Sequence, residues 1–184
     1  IKKCLISFHA WSKSDTAMKH ILPILTLTTL AAAASAQAAG GLSYNRAGIS
    51  YNTDAAANDN GYSVSVEALV GSSNVWVSGS AELDNGGADS ASVGYLFKNV
   101  VGGIDATVFA SSNDTYGVIA RRSLSEVLAG LEFRGVYSTT GGTQVDSFTY
   151  ELAYNVNSKY QVAVSVLDVE NADEQVSVTV RYNF

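Results

Sequence analysis

Residues able to do chemistry are few, and their types limit what they could do. The chain holds two His and one Cys, and His9, His20 and Cys4 all fall in its first twenty residues. From residue 39 onward there is no His and no Cys. General acid–base work near neutral pH favours His, and a Ser nucleophile needs such a base beside it. Carboxylates and arginines remain. Glu132 and Glu151 could be neighbours across a hairpin and act as a carboxylate pair. Counting outward from the 139–146 loop, however, sets Arg134 opposite Glu151, and the same count across 99–102 sets Lys98 opposite Asp105. Opposed charges at matched positions read as salt bridges rather than as catalysis. Metal chemistry is no better supplied. The 54–61 stretch lacks the alternating acids of a calcium loop, and the cluster Asp168, Glu170, Asp173 and Glu174 reads as a solvated charge run. The expectation is a protein that is not an enzyme, with no catalytic, metal or cofactor site.

The elements that must position these charges are strands. Apolar residues recur with period two, the mark of a strand with one apolar and one polar face. Ten segments follow: roughly 42–52, 62–70, 74–83, 90–98, 103–111, 115–122, 126–138, 147–156, 159–168 and 175–184. Eight strands is the alternative count. The first is the least regular, and a bulge near Arg46–Gly48 would switch its faces. The opposite, polar parity carries Glu67, Glu82, Lys98, Asp105, Arg121, Glu132, Arg134, Glu151 and Arg181. Lone Trp76 shares that parity, either as a plug or as an interface aromatic. No stretch reads as an amphipathic helix, and no repeat of fixed period occurs.

The breaks alternate in character. Long acidic ones (53–61, 84–89, 139–146, 168–174) alternate with short turns (71–73, 99–102, 123–125, 157–158). Long loops on one side and short turns on the other mark an antiparallel up-and-down transmembrane β-barrel. Aromatics gather at strand ends in two rings: Tyr51, Tyr62, Tyr137 and Phe148 beside long loops, and Tyr95, Phe97, Tyr154 and Tyr160 near short turns. Such girdles suit the two headgroup layers of a membrane. Charge on a lipid face costs about 2–4 kcal/mol for Arg or Lys at mid-membrane, so the polar face is assigned to the lumen and its nine charges to a lumen network. A soluble, lipocalin-like barrel turned the other way fails on size, because the apolar faces are bulky while the polar side is rich in Gly and Ser.

Three stretches divide the chain. Residues 1–17 read as an upstream segment, foreign to the fold. Met18-Lys19-His20 opens an export signal: the apolar run Ile21–Ala34, about 14 residues, is shorter than the roughly 20 a spanning helix needs, and A-x-A sites follow at 34–38. Residues 18–38 are the expected signal peptide, cleaved after Ala38, and 39–184 the barrel. Acids outnumber Lys and Arg in 39–184 by more than two to one, within a chain of formal net charge −6. That excludes nucleic acid as a partner. Without Cys, closure of the barrel must replace disulfides.

Val176, Val178, Val180, Tyr182 and Phe184 alternate with Ser177, Thr179, Arg181 and Asn183. This stretch resembles the C-terminal strand of bacterial outer-membrane β-barrels, which ends in an aromatic, and with the leader it is similar to small Gram-negative proteins of the porin-like superfamily. The resemblance implies an outer-membrane location and contact with membrane lipid and lipopolysaccharide. It also implies periplasmic chaperones and a barrel-assembly machinery that reads Val180, Tyr182 and Phe184. The functional expectation is a mostly closed barrel with a structural or surface-interaction role through its acidic extracellular loops. A narrow channel for small solutes is the alternative, and the oligomeric state stays open. Inward acids and bases nearly balance, which favours crossing charge pairs over an ion-selective pore. Inward Gly94, Gly117 and Gly130 with Ser63, Ser65, Ser78 and Ser80 argue the other way, as space that water could fill.

Overall fold

Alternating side chains need a partner for each backbone edge, and a closed sheet supplies one at every position. The computed structural model describes residues 42–54, 60–83, 89–142, 145–170, 172 and 174–184. The expected upstream segment, signal peptide and much of the acidic loops lie outside the described residues. Ten strands run in order: β1 Arg46–Asp54, β2 Gly61–Leu69, β3 Val75–Glu82, β4 Ser90–Val101, β5 Ile104–Ser111, β6 Thr115–Ser123, β7 Leu131–Thr140, β8 Val145–Asn155, β9 Tyr160–Val169 and β10 Gln175–Asn183. Each pairs antiparallel with its neighbours in sequence, and β1 pairs with β10 to close the barrel. The fold is therefore all-β, and the count is ten rather than eight.

The outward parity is a nearly continuous apolar belt. Val162, Val164, Val176, Val178, Val180 and Leu152 are all exposed. Aromatic pairs sit at both ends of it. Tyr51 meets Tyr62 at 5.2 Å and Tyr137 meets Phe148 at 4.9 Å beside the long loops. Tyr95 meets Phe97 at 5.0 Å and Tyr160 meets Tyr182 at 5.6 Å beside the short turns. Tyr154 is exposed at that same end.

Three expectations need correction. β1 begins at Arg46, not residue 42, and its register runs unbroken from Arg46 to Asp54 against β10. No bulge switches its faces: Arg46, Gly48, Ser50 and Asn52 simply form a polar lumen face. Gly48 gives the Arg181 side chain room there, since a Cβ would meet Arg181 Cγ at 3.0 Å and push it back by a few tenths of an ångström. β7 starts at Leu131, not residue 126. Val127 and Leu128 donate to the carbonyl of Leu124 (2.9 and 3.1 Å) and Gly130 takes φ 86°, so 124–130 is a compact turn. Val127 is 74% exposed on it, and Gly130 does not line the lumen. The register of β4 and β5 also shifts between Phe97 and Val101, with Asn99 at φ 51°. Beside that irregularity Lys98 is exposed at the turn-end mouth, near Tyr44, Asn45 and Leu69.

Candidate functional site: the lumen

Two ends of the lumen must be distinguished. The turn end holds the short connections, Asn45 and Phe184; the loop end holds the long connections. The strand termini nearest the turns carry nearly all the inward charge, and three arginines and three glutamates there meet across the barrel. Arg46 is in ionic contact with Glu67 on the adjacent β2, and reaches Glu132 on β7 at 3.6 Å. Its Nη1 also donates to Gln161 on β9 at 3.1 Å. Arg121 donates through Nε to Glu132 Oε1 at 2.8 Å, with Nη2 2.7 Å from the same oxygen. Arg181 forks onto both oxygens of Glu151, at 2.6 and 2.5 Å. Gln161 ties the halves together by donating to Glu132 at 3.3 Å while accepting from Arg181 at 3.1 Å. Arg46, Arg121, Glu132, Glu151, Gln161 and Arg181 are all buried. Removing one partner of such a buried pair costs about 3–5 kcal/mol, because the other charge is left uncompensated.

The β2–β6 side of the same end is apolar. Leu69, Trp76, Leu96 and Ile119 form one buried cluster with Tyr44, and Phe109 and Val136 pack against it. Trp76 lies 6.0 Å from the Phe109 ring. Phe109 occupies the space above two glycines. A Cβ at Gly117 would meet its ring at 2.7 Å, and one at Gly94 would meet the Val108 carbonyl oxygen at 2.4 Å. These inward glycines are thus filled by an aromatic and by close backbone approach, contrary to the expectation of water-filled space.

The segment before β1 joins this floor. Tyr44 donates its hydroxyl to Asp105 and lies under the Arg121 guanidinium, 4.5 Å from ring centre to Cζ. Arg121 Nη2 donates to the Ser43 carbonyl at 2.7 Å. Asn45 accepts from the Leu69 amide at 2.9 Å through its side chain, and from the Phe184 amide at 3.0 Å through its carbonyl.

The loop half is different in kind. Its inward residues are mostly Ser and Thr that bond to one another across strands: Ser50 with Thr179 at 2.8 Å, Ser80 with Ser90 at 2.8 Å, and Ser138 with Ser147 at 2.7 Å. Between the halves lies a cavity of about 200 Å³, bordered by Arg46, Arg134, Arg181, Trp76, Ser78 and Ser80.

Of the nine sequence-assigned lumen charges, Glu67, Arg121, Glu132, Arg134, Glu151 and Arg181 come together. Arg134 does stand opposite Glu151 in the register, but only at 4.0 Å, because Arg181 already occupies that carboxylate. Lys98 does not pair with Asp105. It is exposed beside the β4 irregularity, and Asp105 instead accepts from the Asn99 amide at 2.6 Å and from Tyr44. Glu82 keeps its inward parity, opposite Ser63, but sits exposed at the loop rim, away from the network. Arg46, Gln161 and Tyr44 were missed. The signal for Arg46 was the 46/48/50/52 polar parity, obscured by starting the strand too early.

A closed ten-strand antiparallel barrel with an apolar outer belt and a polar interior has the fold of small, porin-like outer-membrane β-barrels. Among solved structures, the chain is similar to the KdgM porin in complex with disordered oligogalacturonate, at TM-score 0.50 and 10% identity, over 76% of this chain and 99% of that one. A second structure of the KdgM porin aligns at TM-score 0.48 and 10% identity, with the same coverage. Neisserial surface protein A aligns at TM-score 0.28 and 11% identity, over 80% of this chain and 99% of that one. These neighbours are porins and a surface protein, and at such identities the likeness is one of fold. No family model and no curated protein matches the sequence.

Proposed function

We propose that this protein is exported by its leader to the outer membrane. There it serves as a mostly closed barrel, with a structural or surface-interaction role through the acidic loops 53–61, 84–89, 139–146 and 168–174. The observation that carries this reading is the double floor at the turn end. Ionic contacts and hydrogen bonds span β1, β2 and β6–β10, and an apolar cluster spans β2–β6. Ten strands enclose more than eight side-chain-filled strands do, yet far less than a 16–18-strand porin, so a floor of this kind supports a closed lumen. Planar-bilayer recording of the refolded protein tests it. No steady conductance is expected. A stable, large current from the unmutated protein sinks the closed reading.

The second reading, a narrow solute channel, is favoured by the hydroxyl-lined loop half and the cavity beneath it. Aromatic rings at both ends of the outer belt suit lipid and lipopolysaccharide headgroups. Val180, Tyr182 and Phe184 are the proposed assembly signal, presented to the barrel-assembly machinery after delivery by periplasmic chaperones. Deleting Phe184 is expected to lower the amount inserted in cells while detergent refolding stays near normal. Unchanged insertion in cells overturns that assignment.

A further inference from the structure

Four arginines at the turn end, Arg46, Arg121, Arg134 and Arg181, share three glutamates, Glu67, Glu132 and Glu151. The remaining acid there, Asp105, is taken by Tyr44 and the Asn99 amide. One guanidinium is therefore left without a close carboxylate, and geometry identifies it. Arg46 touches Glu67, Arg121 reaches Glu132 at 2.7 Å and Arg181 reaches Glu151 at 2.5 Å. Arg134 comes no closer than 4.0 Å to a carboxylate oxygen, and Arg181 already holds that oxygen. Its Nε is buried and finds no acceptor among the described residues. A buried guanidinium N–H without an acceptor is costly.

The side chain borders the cavity of about 200 Å³, beside Arg46, Arg181 and the hydroxyl-bearing Ser78 and Ser80. Glu67 lines it too, but its charge is met by Arg46 and, at 3.6 Å, by Arg121. We propose that Arg134 and this cavity form a binding site for a small oxyanion, a carboxylate or an inorganic phosphate. Such an anion accepts from the forked guanidinium in the geometry that arginine matches best, while the serine hydroxyls supply further donors. The volume suits a small ion with a few waters. The site does not depend on whether the lumen conducts, since equilibrium binding needs only access from one end.

The test follows the arginine Nε–H resonances of refolded protein in detergent micelles by NMR. Sodium phosphate and sodium acetate are titrated separately, with chloride holding ionic strength constant. One Nε–H resonance should shift saturably with at least one probe and should be missing from R134Q. Saturation with phosphate alone assigns a phosphate site, with acetate alone a carboxylate site, and with both a general oxyanion site. R134K, which keeps the charge but loses the fork, is followed through the Nε–H resonances of Arg46 and Arg181 on the same cavity and should bind roughly tenfold more weakly, the loss of one charged hydrogen bond. Should R134Q fail to give the folded band on an unboiled gel, R134K carries the comparison. Flat titrations with both probes, or unweakened binding in R134K, overturn the proposal.

Discussion

The two halves of the lumen are built from opposite strategies on the same ten strands. The turn half concentrates charge and bulk, with arginines, glutamates and a Trp–Phe–Leu–Ile cluster reaching across the barrel. The loop half spreads small hydroxyls around its wall, several of them bonded in pairs across neighbouring strands. A cross-lumen contact ties together strands that do not touch through the backbone. A neighbour contact such as Ser138–Ser147 only reinforces a pairing that the ladder already makes. The turn half should therefore hold the barrel's shape, and the loop half should tolerate change.

Arg181→Met is the strongest way to break that contrast. It leaves Glu151 buried with only Arg134 at 4.0 Å and should cost about 3–5 kcal/mol. The temperature at which the folded band on a gel converts to the unfolded one should fall clearly. A conversion temperature equal to the parent's would mean that the network is not holding the floor. Leu96→Ala comes next. Leu96 is 0% exposed, and its truncation should cost about 2–5 kcal/mol depending on how far Trp76 and Phe109 collapse into the gap; denaturant unfolding in detergent reads it. Smallest is Ser138→Ala, which removes one hydroxyl pair worth about 0.5–1.5 kcal/mol. A loss there as large as that of Arg181→Met would erase the distinction between the halves.

Much of this was legible in the chain, and the reason is parity. Val176–Phe184 alternates so regularly that β10, its faces and its outward aromatics could be read directly. Hairpin counting also put Arg134 opposite Glu151, as the register has it. Counting fails where the backbone departs from the ladder. Asn99 in a left-handed conformation carried Lys98 away from Asp105, and the turn at 124–130 copied strand parity through Val127 and Ala129. Counting also cannot see across the barrel. Arg46 with Glu132, and Arg181 with Glu151, belong to strands that are not neighbours, so their meeting depends on barrel curvature and side-chain length rather than on spacing in the sequence. Gly117 misled for a related reason: its emptiness is filled by Phe109 from the adjacent strand.

The seam between β1 and β10 has a consequence for folding kinetics. Every other pairing joins strands consecutive in the chain and can zip from a local hairpin, whereas this one joins Arg46 to Asn183. Loop-closure entropy rises only slowly with length, by about 0.6 kcal/mol per doubling, but it must be spent before the seam's hydrogen bonds return anything, which slows non-local pairing. Arg46 raises the stakes, because its contacts with Glu132 and Gln161 exist only once the ring is shut. A chain with the ring still open would hold that charge in water and two bare strand edges, so ring closure is the step expected to be slowest and most exposed to aggregation.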